Sequence, residues 1–365
     1  MYSVKIYGAG SIGNHLSHAS RTKGWKVSVC DIDKSALERM KSSIYPQRYG
    51  EWDENINLFT NDEISIDNYY DIVIIGTPPE SHIPIALQEI KSNNPPKIIL
   101  IEKPLTVPSL IGCQELVDLS RQKNITVLCG YNHTLTQNSK YAKQLILNHD
   151  LKNCNTIHVQ WLEHWGGIFD AHPWLDGPKD SYLGYSSKGG GSTYEHSHGI
   201  NIWQHFSKMF GSEKIIEVSA VMKTVKKDGI DYDETTQLIV KTNNGITGTI
   251  VQDVITNPPI KKLKLQCDNA NIEWEANKYK NIDSLTINNK EKLFKKIRPD
   301  DFVGEVNHLE ELIQGKIAAS NSPISLERGI ETMMVAIAAS ISSEKGKKVT
   351  IDYSKGCCYS AFSYI

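Results

Sequence analysis

The first stretch whose residue types and spacing suit chemistry is Gly8-Ala9-Gly10-Ser11-Ile12-Gly13, a G-x-G-x-x-G. Such a match means little alone, but here it follows a strand-like run, Val4 to Tyr7, and opens a helical pattern through Ser11 and Ile12. Gly8 permits the tight turn, Gly10 lets backbone approach a pyrophosphate, and Gly13 allows close helix–strand packing. The pyrophosphate would rest on the free N–H groups at the positive end of that helix. Asp31 ends the next strand-like run, 18 residues after Gly13. A carboxylate there can bond both ribose hydroxyls of NAD and would repel the 2′-phosphate of NADP. Asp33 is the competing carboxylate and reads as a helix cap. A second stretch, Glu102-Lys103-Pro104, follows the apolar run Ile98 to Ile101. A lysine at the C-terminal edge of such a strand enters the crevice where doubly wound sheets hold ligands, and its ammonium can polarise a reacting carbonyl or alkoxide.

The elements that must position these groups alternate strand and helix over the first 130 residues. Strands are expected at 4–7, 26–30, 71–75, 97–101 and 126–129, and helices at 12–23, 34–41, 83–91 and 109–123. Continuous apolar runs such as Asp71 to Ile75 suit strands covered on both faces, so the expected fold is an N-terminal Rossmann domain, a doubly wound parallel sheet. From about Tyr131 the pattern changes. A helix at 138–147 precedes a strand near 156–161, then a glycine- and aromatic-rich stretch, a helix at 193–210, and recurrent strand-like segments between 215 and 287. Turn signals such as Asn244-Gly245 and Asp268-Asn269 punctuate them. The end returns to helix at 305–314 and 326–343. This implies a C-terminal α+β domain with a largely antiparallel open sheet. The division expected is 1–130 for the cofactor domain and 131–365 for the substrate and oligomerisation domain, its final helix packing back on the first.

Composition narrows the class. At 365 residues the chain is too long for one ordinary core. A net charge of −2, with Lys and Arg spread along the chain, gives no reason to expect nucleic acid or an anionic membrane as partner. No run approaches about 20 apolar residues, and Met1 to Gly10 reads as strand and turn rather than a leader. The seven cysteines are scattered with no Cys-x-x-Cys pair, as in a reduced, cytoplasmic protein.

Two further motifs carry a resemblance. Ile74-Ile75-Gly76-Thr77-Pro78-Pro79-Glu80-Ser81-His82 and Glu102-Lys103-Pro104, together with the glycine loop, resemble the glucose–fructose oxidoreductase / inositol dehydrogenase / MocA family. The segment Ser322-Pro323-Ile324-Ser325 to Ser343, followed by Gly346-Lys347-Lys348-Val349, is similar to that family's ending. The resemblance implies that Lys103 lies beside the nicotinamide and touches the reacting oxygen, and that Glu102 lies near the nicotinamide ribose. It also implies that Thr77, Pro78 and His82 belong to the cofactor groove.

The resemblance extends to Gly189-Gly190-Gly191-Ser192-Thr193-Tyr194-Glu195-His196-Ser197-His198, a glycine triplet leading into the family's catalytic helix. It places His198 at the histidine position and Glu195 at the aspartate position, with Tyr194 the alternative for the acidic place and Asn201 replacing a further aspartate. Positions 195, 198 and 201 would share one helix face, so a carboxylate could steady the imidazole. His196 points elsewhere and reads as structural. Thr134-Leu135 stand where many relatives carry Arg-Phe, leaving Asn132 and His133 as candidates for substrate hydroxyls. Trp165 and Trp174 suit either stacking on a sugar ring or core packing.

The reading that follows is an NAD(H)-dependent oxidoreductase acting on a hydroxyl or keto carbon of a sugar, sugar nucleotide or cyclic polyol. Lys103 and His198 handle the proton and no metal is required. The alternatives are a redox-neutral NAD-dependent glycosidase or eliminase, and a non-catalytic NAD-binding sensor. The family implies a homodimer or homotetramer.

Overall fold

The computed structural model describes the chain apart from residues 62, 64, 65, 67, 149, 150, 152, 171, 173, 212, 213 and 298. It divides into two compact units, Met1–Thr106 with Ile111–Asn132 and Pro299–Leu326, and Val107–Leu110 with His133–Arg298 and Glu327–Ile365. A single cut after residue 130 therefore does not describe the division. The segment grouped with the first unit is Pro299–Leu326, whereas most of the final helix, Leu326–Lys345, falls in the second.

The first unit is a parallel six-stranded sheet in the order β3-β2-β1-β4-β5-β6, with β1 Ser3–Tyr7, β2 Lys26–Asp31, β3 Ile56–Thr60, β4 Ile72–Ile75, β5 Ile98–Ile101 and β6 Thr126–Cys129. This is the doubly wound order whose direction of winding reverses between β1 and β4. The apolar runs of β4 and β5 are buried from end to end, which is why they lack alternation. Strand β3 was not anticipated, because INLFT alternates only weakly and is half-buried.

The helices of this unit are α1 Ser11–Thr22, α2 Lys34–Arg39, α3 Tyr45–Tyr49, α4 His82–Lys91 and α5 Cys113–Gln122. A π-helical turn, Met40–Ile44, joins α2 to α3. A further helix, Asp300–Ile313, lies on α1, where Phe302 stacks on His15 at 4.5 Å and Glu310 pairs with Lys23 at 2.7 Å. Cys129 N–H donates to the Ile324 carbonyl at 2.8 Å, so the end of this segment runs beside β6.

The second unit is built on a ten-stranded sheet ordered β14-β13-β12-β11-β7-β10-β9-β8-β15-β16. Its long strands are β7 Cys154–Leu162, β8 Ile215–Lys227, β9 Ile230–Thr242, β10 Thr247–Asp253, β11 Ile260–Cys267 and β12 Asn271–Tyr279. The shorter ones are β13 Ile282–Ile287, β14 Lys290–Lys295, β15 Val349–Ile351 and β16 Phe362–Tyr364. All pairings are antiparallel except β7 with β10. Strand β7 alternates buried and exposed residues, as a sheet covered on one face requires. The covering elements include α6 Gln137–Asn148, α7 Gly166–Asp170, α8 Gly191–Glu195 and α9 His198–Met209.

Candidate active site

In the first unit the residues singled out for the cofactor lie at the C-terminal edge of β1, β2, β4 and β5. Gly8 adopts φ +100°, and a Cβ on it would lie 2.8 Å from the Gly76 carbonyl oxygen. A Cβ on Gly13 would lie 1.9 Å from the Gly8 carbonyl oxygen. Both positions therefore demand glycine for packing. Gly10 differs, since a Cβ there would meet nothing within 4 Å. It borders open space above Ser11 and Ile12, where a pyrophosphate can approach the first turn of α1. No side chain caps α1 and its first turn holds no acidic residue, so nothing there offsets the positive end of the helix dipole.

Asp31 sits at the end of β2, half-buried. Its Oδ2 accepts from Ala9 N–H at 2.8 Å and its Oδ1 from Asp33 N–H at 2.9 Å. The carboxylate thus fixes the glycine loop to β2 as well as standing where ribose hydroxyls would come. Asp33 caps α2 through Ser35 N–H at 2.8 Å, as the sequence suggested. Thr77 is half-buried and its hydroxyl accepts from Ser81 at 2.6 Å, while Pro78 is exposed beside it.

His82 requires a correction. It is fully buried, with Nε2 2.7 Å from the Thr77 carbonyl oxygen and Nδ1 3.0 Å from that of Pro104. It braces the two loops from within and presents no surface to a cofactor. Burial, outweighing the backbone carbonyls, pushes its pKa down to about 4.

Lys103 follows β5 at the same sheet edge, half-buried, and the Lys103–Pro104 peptide is cis. Glu102 is turned inward rather than towards the crevice. It is 5% exposed, its Oε2 accepts from Lys103 N–H at 3.2 Å, and a Cβ on Gly130 would meet its Oε1 at 2.6 Å. Glu305, fully buried nearby, has its pKa raised well above the usual range by burial and by the charges of Glu102 and Asp301. Sequence reading gave no signal for Glu305, because one glutamate inside an amphipathic helix looks like any other.

The second unit carries the glycine triplet and His198. The expected single helix over 193–210 is broken at His196 and Ser197 into α8 and α9. Gln252 accounts for the break, donating to the Ser192 and His196 carbonyls at 2.9 and 2.6 Å. Asp233 holds the start of α8, accepting from Thr193 N–H at 2.7 Å and from the Ser192 and Thr193 hydroxyls at 2.5 and 2.8 Å. Gly191, at φ +80°, is needed because a Cβ would lie 2.3 Å from Asp233 Oδ1.

The side chains expected on one face have partners of their own. Glu195, 5% exposed, accepts from the Tyr182 hydroxyl at 2.7 Å. Asn201 donates to Thr332 at 3.1 Å. Tyr194 is buried and bonds Ser340 at 2.8 Å, its pKa pushed up by burial. His196 bonds the Glu163 carbonyl at 3.0 Å, a structural place.

His198, half-buried at the first position of α9, stacks on Trp161 with ring centroids 5.4 Å apart and meets His133 edge-on at 4.9 Å. His133 also meets Trp161 at 4.7 Å, so the three rings form one cluster. Asn132 and His133 open a 3-10 turn, Asn132–Leu135. Of the two roles open to Trp165, stacking on a sugar ring or core packing, the structure shows the second, in a cluster with Leu183, Tyr232 and Val254. Trp174 is 38% exposed beside His172. The aromatic residue against the histidine is Trp161, whose inward alternation in β7 could have singled it out.

A switch-point glycine cradle with a carboxylate at the end of β2 defines a nucleotide-binding Rossmann domain. Residues 2–131 match the family described as "Oxidoreductase family, NAD-binding Rossmann fold", that of the glucose–fructose oxidoreductase / inositol dehydrogenase / MocA proteins. An uncharacterized oxidoreductase of Streptococcus pneumoniae serotype 4 is 28% identical over 209 residues, covering 56% of this chain and 50% of that protein. The chain thus spans about half the length of that curated relative. Two solved structures show the same fold over 96% of this chain. Levoglucosan dehydrogenase in complex with NADH and levoglucosan has a TM-score of 0.75 at 15% identity, with 99% of its own chain covered. An NAD binding oxidoreductase from Klebsiella pneumoniae has a TM-score of 0.74 at 17% identity, with 98% covered.

Proposed function

We propose that this chain is an NAD(H)-dependent dehydrogenase or reductase acting on a hydroxyl or keto carbon of a sugar, sugar nucleotide or cyclic polyol. The observation that carries the reading is the shared sheet edge in the first unit. The glycine cradle, Asp31 and Lys103 all lie at the C-terminal ends of neighbouring strands, the place where doubly wound sheets bind ligands. The carbohydrate class rests on the family and on levoglucosan dehydrogenase, a sugar enzyme with the same fold.

NAD, when bound, supplies the carbon that accepts or returns a hydride. The chain's own groups bind and move the proton. Gly10 and the α1 N-terminus receive the pyrophosphate, and Asp31 receives the adenosine ribose. Lys103 donates a hydrogen bond to the reacting oxygen, stabilising alkoxide character as the C–H bond breaks. His198 takes the hydroxyl proton in oxidation and returns it in reduction. The Trp161 and His133 rings fix the imidazole. Glu195, tied to Tyr182, acts on the substrate side as a hydrogen-bond acceptor. Asn132, His133 and the exposed Trp174 are assigned to substrate hydroxyls and ring faces.

The unit-two sheet exposes Val221 and Ile239 on one face, in register through Ser219 opposite Ile239 and Val221 opposite Gln237. We assign this face to association into a dimer or tetramer, which sedimentation analysis tests.

The function is tested with NADH carrying deuterium at both C4 positions of the nicotinamide, and keto sugars or inosose substrates. Deuterium on the new carbinol carbon supports a reductase. Conversion of substrate with the label retained in the cofactor pool or lost to water would overturn it.

A further inference from the structure

Two of the seven cysteines, far apart in sequence, meet across neighbouring strands of the second unit. Cys154 opens β7 and Cys267 closes β11, and the antiparallel register sets them opposite one another. Both are free thiols. A bulge creates the pair. Ile157, Val159 and Trp161 are buried at every second position, so strict alternation would turn Asn155 inward and Cys154 outward. Instead Gln266 pairs with Thr156 and Cys267 with Cys154. Asn155 is the extra residue and is exposed, while Cys154, 6% exposed, takes the inward place.

Asp268 fastens the spot. Its N–H donates to the Asn153 carbonyl at 3.3 Å, and its carboxylate accepts from the Asn153 and Asn155 side-chain amides at 2.8 and 3.0 Å. Cys267 N–H turns away from β7, to the Ala270 carbonyl at 2.9 Å. Cys154 and Cys267 are therefore a non-hydrogen-bonded cross-strand pair, the kind whose Cα atoms stand roughly 4.5 Å apart with side chains closest. A disulfide spans Cα separations of about 4.4–6.8 Å, so the backbone needs no rearrangement to accept one.

The two thiols are unlike. Cys267 is half-buried, and its hydrogen bond with Cys154 holds its pKa below the ordinary thiol value, against partial burial and the Asp268 carboxylate. Cys154 is buried, and the same bond together with burial pushes its pKa up. One sulfur is thus an accessible thiolate and the other a thiol waiting beside it.

We propose that Cys154 and Cys267 form an oxidation site, converted by hydrogen peroxide to a cross-strand disulfide. The Cys267 thiolate attacks a peroxide oxygen. The S–O bond forms, the O–O bond breaks, and the departing hydroxide takes up the proton that Cys267 shed. The Cys154 sulfur then attacks the sulfenic sulfur of Cys267. The S–S bond forms, the S–O bond breaks, and the second hydroxide leaves as water with the Cys154 proton. The thiols give up two hydrogens, and one peroxide becomes two waters.

The test is peptide mapping of the reduced full chain after exposure to a small excess of hydrogen peroxide, alkylation, and digestion at acid pH to stop thiol exchange. The expected product is one pair of peptides joined through Cys154 and Cys267 and parted by a reducing agent. It should form at least about tenfold faster than any oxidation of Cys357 or Cys358, which are half-buried too. In Cys154→Ala, Cys267 should stop at the sulfenic acid and be trapped by dimedone. The wild-type map decides the matter alone if that variant does not fold. Alkylation of both Cys154 and Cys267 after peroxide would overturn the inference. So would Cys267 joined to another cysteine, or oxidised to the sulfonic acid without a joined peptide. Failure of dimedone to label Cys267 in the folded alanine variant would overturn it as well, since Cys267 would not be the attacking thiol.

Discussion

The Nδ1 atom of His82 lies 3.0 Å from the carbonyl oxygen of Pro104, and the same ring reaches the Thr77 carbonyl through Nε2 at 2.7 Å. One fully buried imidazole thus sits between the loop after β4 and the loop that carries Lys103, and in its neutral form it donates to one of the two carbonyls. Its pKa falls from an ordinary 6.5 to about 4 because burial penalises the cation. Between those values the unfolded chain binds more protons than the folded one. The stability from keeping His82 neutral is complete above the unfolded pKa and is lost as pH falls through this window, by roughly 3 kcal/mol. Melting of wild type and His82→Gln from neutral pH to pH about 4 checks this. Wild type should lose more stability than the glutamine variant, and parallel curves would contradict the assignment.

The two kinds of glycine in the cofactor loop should separate in mutants. Gly13→Ala drives a methyl to 1.9 Å from a backbone oxygen, so it should cost more than about 3 kcal/mol or prevent folding. Gly10→Ala meets nothing, so its stability should stay within about 0.5 kcal/mol of wild type. NADH affinity should nevertheless fall at least about tenfold, because the methyl occupies the space of the pyrophosphate. Thermal melts and NADH titration of Gly10→Ala read the two effects separately.

Asp31 accepts from Ala9 N–H, so truncation would disturb the loop itself. Asp31→Asn keeps an acceptor for Ala9 but removes the charge that opposes a 2′-phosphate. The ratio of NADP to NAD affinity should rise about tenfold or more. An unchanged ratio would show that Asp31 serves only the loop.

The 2.7 Å bond from Tyr182 to the buried Glu195 should be measurable as a coupling energy. A double-mutant cycle with Tyr182→Phe and Glu195→Gln in denaturant unfolding should give about 1.5–3 kcal/mol, as for a hydrogen bond to a charged group. A coupling near zero would mean that Glu195 takes its support elsewhere.

How much of this was legible follows from the range of each signal. The glycine loop and its sheet were readable because their residues are bound to local geometry. Gly8 must take positive φ, Gly13 must let Gly8 pass, and β4 and β5 must be apolar along their whole length. The segment around His198 was less so. A helix over 193–210 satisfies local propensity, and its interruption depends on Gln252 of β10, 56 and 60 residues after the carbonyls it bonds. The same distance hid Asp233, whose carboxylate holds α8. His82 looked like a groove residue because a motif says which residues recur together, not which way they face. Trp165 and Trp161 lie four apart in one tryptophan-rich stretch, and only the inward alternation of β7 distinguishes the ring against His198 from the ring in the core. Hairpin turns such as Asp228-Gly229 and Asn288-Asn289, with positive φ at both residues, were readable signals that would have extended β8 and supplied β14.

The most direct measurement is the appearance of NADH when wild type and Lys103→Met are given NAD and a panel of sugars, sugar nucleotides and inositols. Wild type should form NADH with at least one member. Lys103→Met should bind NADH with unchanged affinity yet turn over about a hundredfold or more slowly. Turnover by Lys103→Met at the wild-type rate, or NADH binding by wild type with no reduction of NAD by any member of the panel, would contradict the account.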